Sequence, residues 1–138
     1  MLVVLDTNVL VSALLSPFGA PARVLDLILV GDVQLAYSDQ LLTEYREALA
    51  RPKFGFEPRY VTYLLDYLTV SGRHVVPRPL AVSLPDADDL LFLEAAAETG
   101  AVLITGNRRH FPADACGRVE VVTPAEFLAQ RGWRAKGG

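Results

Sequence analysis

The chain has 138 residues, 51% hydrophobic and 21% charged, which suits one domain with a sizeable core and excludes a disordered chain. Its single cysteine, Cys116, excludes a disulfide framework and a cysteine-built zinc site, and fits a reducing compartment. Thirteen Lys and Arg against sixteen Asp and Glu leave a net charge of −3, which excludes coating of nucleic acid by bulk charge.

Leu2–Leu5 reads as a short buried strand ending at Asp6, followed by helical spacing through Val9–Leu15 that Ser16-Pro17-Phe18-Gly19 interrupts. Pro21–Val30 is a second predicted helix and Val33–Tyr37 the next strand. Ser38 or Asp39 caps a helix running to about Ala50, which Pro52 stops. Arg59–Val70 is a fourth helix ending near Gly72, with a short strand at His74–Val76. Pro85-Asp86 opens a helix to Thr99, closed by Gly100. Ala101–Thr105 and Val119–Val122 are strands, and Pro124–Gln130 is the last helix. The N-terminus has no basic flank, and no apolar run approaches the roughly 20 residues of a membrane span, so a cytoplasmic protein is expected.

Short apolar strands separated by helices predict a three-layer α/β/α sandwich around a central, mostly parallel sheet. One domain over residues 1–130 is expected, with a basic tail at 131–138 that frays.

In such sheets ligands bind beyond the carboxyl ends of the strands, so the residues just after each strand are the informative ones. Asp6-Thr7-Asn8 comes after the first, Ser38-Asp39 after the second, and Gly106-Asn107-Arg108-Arg109-His110 after the run ending at Thr105. Each set also suits plain turn and cap formation. Asp6 comes after four apolar residues, so its carboxylate requires a capping role, a cationic partner or a metal. In the third helix Leu41, Leu42, Tyr45, Ala48 and Leu49 form the apolar arc, with Glu44 about 40° beyond its edge. That places Glu44 at a boundary, its stem on the core and its head in water. Asp86 and Asp89 project to the same side as Leu90, Leu93, Ala96 and Ala97. First-turn capping explains carboxylates there, but a metal explains better why two of them face the apolar side.

Four segments together resemble the PIN-domain ribonucleases: Val3-Val4-Leu5-Asp6-Thr7-Asn8-Val9-Leu10-Val11-Ser12, Ser38-x5-Glu44-Tyr45, Asp86-x-Asp88-Asp89 with Phe92-Leu93-x-x-Ala96, and Leu103-Ile104-Thr105-Gly106-Asn107. With Val121-Val122-Thr123-Pro124-Ala125-Glu126-Phe127-Leu128, the pattern looks most like the bacterial and archaeal branch of toxin components of toxin–antitoxin pairs. The resemblance implies a metal-dependent endoribonuclease acting on single-stranded RNA, neutralised by a small antitoxin and assembled as a homodimer or higher oligomer. It implies Asp6, Glu44 and Asp89 as the catalytic acids holding Mg²⁺ or Mn²⁺, with Asp86 and Asn107 as further ligands. Asn107 stands where the family carries Asp, which keeps an oxygen but loses a charge and bears on a second metal.

Thr7, Asn8, Ser38 and Thr105 are candidate orienters, and Arg108, with Arg109 and His110, a guide for RNA phosphates. His74 and Cys116 read as bystanders and Tyr45 as a core residue. With Asp6, Glu44, Asp86 and Asp89 neutralised by metal, the net charge of −3 becomes +1. The alternative is a catalytically weakened RNA-binding or protein-interaction module of the same fold. No Gly-x-Gly-x-x-Gly or Gly-x4-Gly-Lys loop comes after any strand, which excludes dinucleotide and P-loop sites.

Overall fold

Leu2–Leu5 (β1) forms the middle of the sheet in the computed structural model, which describes residues 1–132 of the chain. Successive side chains of a strand point to opposite faces, and Val3, Val4 and Leu5 are all buried, so both faces of β1 are covered. The chain continues through α1 (Thr7–Leu15), α2 (Ala20–Leu29), β2 (Gln34–Tyr37), α3 (Asp39–Leu49), α4 (Pro58–Ser71) and β3 (Arg73–His74). It ends with α5 (Leu90–Thr99), β4 (Val102–Ile104), α6 (Ala113–Cys116), β5 (Val121–Val122) and α7 (Pro124–Gln130).

The strand order is β3-β2-β1-β4-β5, and every pairing is parallel. This is the expected α/β/α sandwich, with the sheet parallel throughout the described residues. Strand order reverses between β1 and β4, and the crevice at such a reversal is where parallel sheets bind ligands. The β1–β4 register, Leu5 opposite Ile104, brings the residues just past these two strands side by side. Asp6 extends the ladder by donating its N–H to the Ile104 carbonyl at 2.9 Å, and Thr105 does the same to Val122 at 2.9 Å.

Gly72 shows how tightly the layers meet: a Cβ there would lie 2.6 Å from the Leu68 carbonyl oxygen and 2.7 Å from that of Leu35. No other residue fits where α4 turns back against β2. Gly100 closes α5 in the left-handed region (φ 72°), as its position after the predicted helix requires.

Several boundaries differ from the sequence expectation. The predicted helix from Pro85 is a 3₁₀ turn at Ala87–Asp89 followed by α5, so a 100° projection does not reach back to Asp86. Asp86 has extended backbone (φ −118°, ψ 114°) and is exposed, whereas Asp89 is buried. The third strand is Arg73–His74 rather than His74–Val76. Short helical turns at Pro52–Phe54, Arg108–His110 and Ala113–Cys116 carry too few residues to show periodicity. Residues 133–138, most of the tail expected to fray, lie outside the described residues. Among the described residues no single helix is long and apolar enough to cross a membrane.

Candidate active site

Asp6 is 4% exposed, a depth at which an uncompensated carboxylate is costly. Its Oδ1 accepts the Asn8 N–H at 3.3 Å and caps α1, whose N-terminus also favours negative charge. Its Oδ2 accepts the Thr105 hydroxyl at 2.8 Å. Thr105 Oγ1 in turn accepts the Asn107 N–H at 3.0 Å, so the hydroxyl proton is directed at Asp6. Thr105 is fully buried, and its place follows from the one-residue extension of the β1–β4 register.

Beneath this pair lies Tyr45, buried in the core as its helical position predicts, donating to the Leu5 carbonyl at 2.6 Å. Burial and the nearby Asp6 charge push its phenol far above the ordinary range, so it remains a neutral donor. Ser38 is buried, and its Oγ accepts the Leu41 N–H at 3.2 Å, which commits it to capping α3. Glu44, one position before Tyr45, is half-buried.

Asp89 is the second buried carboxylate. Burial raises its pKa first, then the charges of Asp6 and Asp86, and the neighbouring His110 offsets part of this. Asp86 Oδ1 accepts the Asp88 N–H at 3.0 Å and caps the short turn that delivers Asp89. Asp89 Oδ2 is buried without a hydrogen-bond partner, although His110 Nδ1 approaches it to 2.9 Å. Thr7 Oγ1, one residue after Asp6, is likewise buried and unbonded.

The Asn107 amide nitrogen lies 3.0 Å from Nε2 of His110, and Arg108 pairs with Glu126 of α7 at 3.0 Å. Glu126 belongs to the capping box of α7 with Thr123, so Arg108 is tied to a helix end. Arg109 is exposed on the same turn. Asn8 is exposed and contributes its backbone N–H to Asp6. His74 pairs with Asp39 at 2.8 Å, and Cys116 is buried, its thiol pushed up chiefly by burial.

Sequence reading grouped His110 with Arg108 and Arg109 as a guide for RNA phosphates and did not connect it with Asp89. The available signal was its spacing, three residues after Asn107, because side chains at i and i+3 eclipse in a 3₁₀ turn.

The orphaned Asp89 oxygen, beside two further carboxylates, suits a hard divalent cation that keeps most of its water. Among the described residues no three His, Cys, Asp or Glu side chains gather closely enough to hold a metal. Asp6, Glu44, Asp86, Asp89 and Asn107 are therefore not one closed ligand cage. The donors fit a hydrated ion with few direct protein ligands.

A family model for the PIN domain matches residues 2–109. An uncharacterized protein of Methanocaldococcus jannaschii is 34% identical over 110 residues, covering 77% of this chain and 70% of that protein. Among solved structures, VapBC2 from Rickettsia felis bound to a DNA fragment from its promoter aligns with TM-score 0.61 at 18% identity, over 89% of this chain and 98% of that one. FitAcB from Neisseria gonorrhoeae aligns with TM-score 0.61 at 21% identity, over 89% and 98%. VapBC-1 from nontypeable Haemophilus influenzae aligns with TM-score 0.60 at 19% identity, over 91% and 99%. At these identities the structures establish the shared fold.

Proposed function

The chain belongs to the PIN-domain family, and on that premise we propose that it is a divalent-metal-dependent endoribonuclease cleaving single-stranded RNA, the toxin of a toxin–antitoxin pair. The observation that carries this reading is the pair of buried carboxylates, Asp6 and Asp89, at the sheet's reversal point, where Asp6 raises the pKa of Asp89 and an Asp89 oxygen is left unbonded. Two such groups coexist ionised only with a cation between or beside them.

Asp6 and Asp89 would hold Mg²⁺ or Mn²⁺, with Glu44 and Asp86 drawn on through water. When bound, the ion supplies Lewis-acid activation of water and neutralises charge at the phosphate. Thr105 fixes the rotamer of Asp6, and Tyr45, anchored on Leu5, supports the strand end from below. Thr7, next to Asp6, carries a buried hydroxyl without a hydrogen-bond partner and is the candidate orienter at that strand end. Arg109, exposed on the turn after β4, is the cation placed to guide an RNA phosphate, since Arg108 is engaged by Glu126.

An antitoxin partner is proposed because the chain resembles the toxin components of toxin–antitoxin pairs and shares its fold with the VapBC2 and FitAcB structures. The outer face of α4, where Tyr60, Tyr63, Tyr67 and Val70 are exposed, is the candidate surface for that partner or for a second copy.

The test is cleavage of a labelled single-stranded RNA by purified protein. Activity lost in EDTA, restored by Mg²⁺ or Mn²⁺, and absent in Asp6→Asn and Asp89→Asn supports the proposal. Cleavage that survives chelation or both substitutions overturns it. The second reading, a weakened RNA-binding module, draws on Asn107 in place of the family's acid. It expects RNA binding to survive EDTA, and Asn107→Asp to create no cleavage.

A further inference from the structure

The turn after β4 that carries Asn107 and His110 also borders a hollow of about 410 Å³. It lies between Arg108, Arg109 and Phe111 of that turn, Ala113 and Cys116 of α6, and Val121 of β5. β5 is an edge strand of two residues, so no further strand covers the sheet on that side. Phe111 and Cys116 are buried and form the floor, whereas Arg108, Arg109 and Ala113 are exposed at the rim. The floor is carbon and one thiol, which burial keeps protonated. The volume falls in the range of about 300–1,000 Å³ that small-ligand sites occupy.

Both charged side chains lining this hollow are guanidinium groups. A simple anion would use the arginines and gain nothing from the floor, and a purely apolar ligand would do the reverse. A nucleotide uses both, with its base on the apolar floor and its phosphate at the rim. Arg109 pairs with no acid among the described residues, which leaves it available to a phosphate. Arg108 is held by Glu126 through Nη1 alone, at 3.0 Å, so its guanidinium is fixed and offers a flat face to a base. Asn107 contacts His110, which pairs with Asp89, and the next two residues are the arginines of the rim. Two residues span at most about 7 Å. A strand whose phosphate meets the acids therefore presents its adjoining nucleotide to the hollow.

We propose that this hollow is a nucleotide subsite, which seats one base of the single-stranded RNA beside the scissile phosphate, with Arg109 on the adjoining phosphate. Apart from the thiol, the floor has no side-chain donor or acceptor to read a base edge. The seat therefore requires a base without selecting which one. The inference rests on the proposed ribonuclease activity and deepens it by naming what the site holds next to the bond it cleaves.

The experiment is fluorescence anisotropy with two labelled probes, a short single-stranded RNA of mixed sequence and an abasic ribose-phosphate oligomer of the same length. Full-length Asp6→Asn protein is the parent, so that the RNA stays intact, and Arg109→Ala, Ala113→Phe and Arg73→Ala are each added to it. The parent is expected to bind the RNA about 10-fold more tightly than the abasic oligomer. Ala113→Phe, which fills the hollow from an exposed position, is expected to weaken the RNA to the level of the abasic oligomer and to leave the latter unchanged. Arg109→Ala is expected to weaken both probes. Arg73→Ala, on β3 at the opposite edge of the sheet, is the charge control and should change either by less than about twofold. Equal binding of the two probes by the parent, or an unchanged preference in Ala113→Phe, overturns the subsite. RNA cleavage by the wild type in Mn²⁺ then leaves the nuclease reading standing. Failure of every form to bind RNA, with no cleavage by the wild type, overturns both.

Discussion

The two ends of β4 differ in a way that separates empty space from chemistry. At its N-terminal end lies a cavity of about 500 Å³ lined mainly by Leu80, Val82, Ala96, Ala97, Cys116 and Val119. At its C-terminal end two buried carboxylates face each other's charge and one oxygen lacks a hydrogen-bond partner. That hollow is walled mostly by alkyl groups, and its charged residues, Arg118 and Glu120, are exposed rather than converging on a buried point. The crowded end has unbalanced electrostatics, and perturbed groups of this kind mark functional sites more reliably than volume does.

The largest effect that would break this comparison is on catalysis at the crowded end. Asp6→Asn is expected to lower RNA cleavage by about 10²–10³-fold, the scale of losing one electrostatic group at a reaction centre. A steady-state rate near wild type would move the chemistry elsewhere.

Thr105→Val leaves Asp6 Oδ2 and the Asn107 N–H without their partner in a dry environment. A loss of about 1–3 kcal/mol in urea unfolding is expected, with weaker metal binding. Gly72→Ala tests the scaffold instead, pressing a methyl against two backbone oxygens. It should cost about 1–3 kcal/mol in the same assay without altering metal affinity in the folded protein.

The pH dependence of the metal-free protein sharpens the electrostatic half. The Asp89 pKa is higher in the folded chain than in the unfolded one, so the folded state binds more protons between the two values. This group therefore lowers stability as pH rises through that window, and keeps it lowered above. In EDTA at neutral pH, Asp89→Asn should melt at a higher temperature than wild type, the difference shrinking toward acid. The smallest effect belongs to the empty end: Ala97→Leu, at the cavity, is expected to change cleavage by less than about twofold.

Much of this was legible in the chain. Leu2–Leu5 and the adjoining Asp6 were readable because a buried strand is a continuous apolar run and a polar residue at its end is conspicuous. Pro124–Gln130 was legible because proline suits the first turn of a helix, and it matches the observed helix. Asp86 was misplaced because periodicity assumes an α-helix, and the chain there begins with an extended residue and a 3₁₀ turn. The pairing of His110 with Asp89 was not legible because three-residue turns leave no periodic trace and the two residues lie far apart in sequence.

The sequence by itself determined the α/β class, the run of elements and which strand ends carry acids, because these arise from local apolar spacing and capping chemistry. Only the tertiary structure decided which of those ends meet. Parallel pairing of β1 with β4 joins Asp6 to Thr105 across 99 residues, and the turn before α5 sets Asp89 against His110. Such pairings depend on strand order and register. Those are settled by packing the whole sheet between its helices, and no local stretch of sequence contains that information.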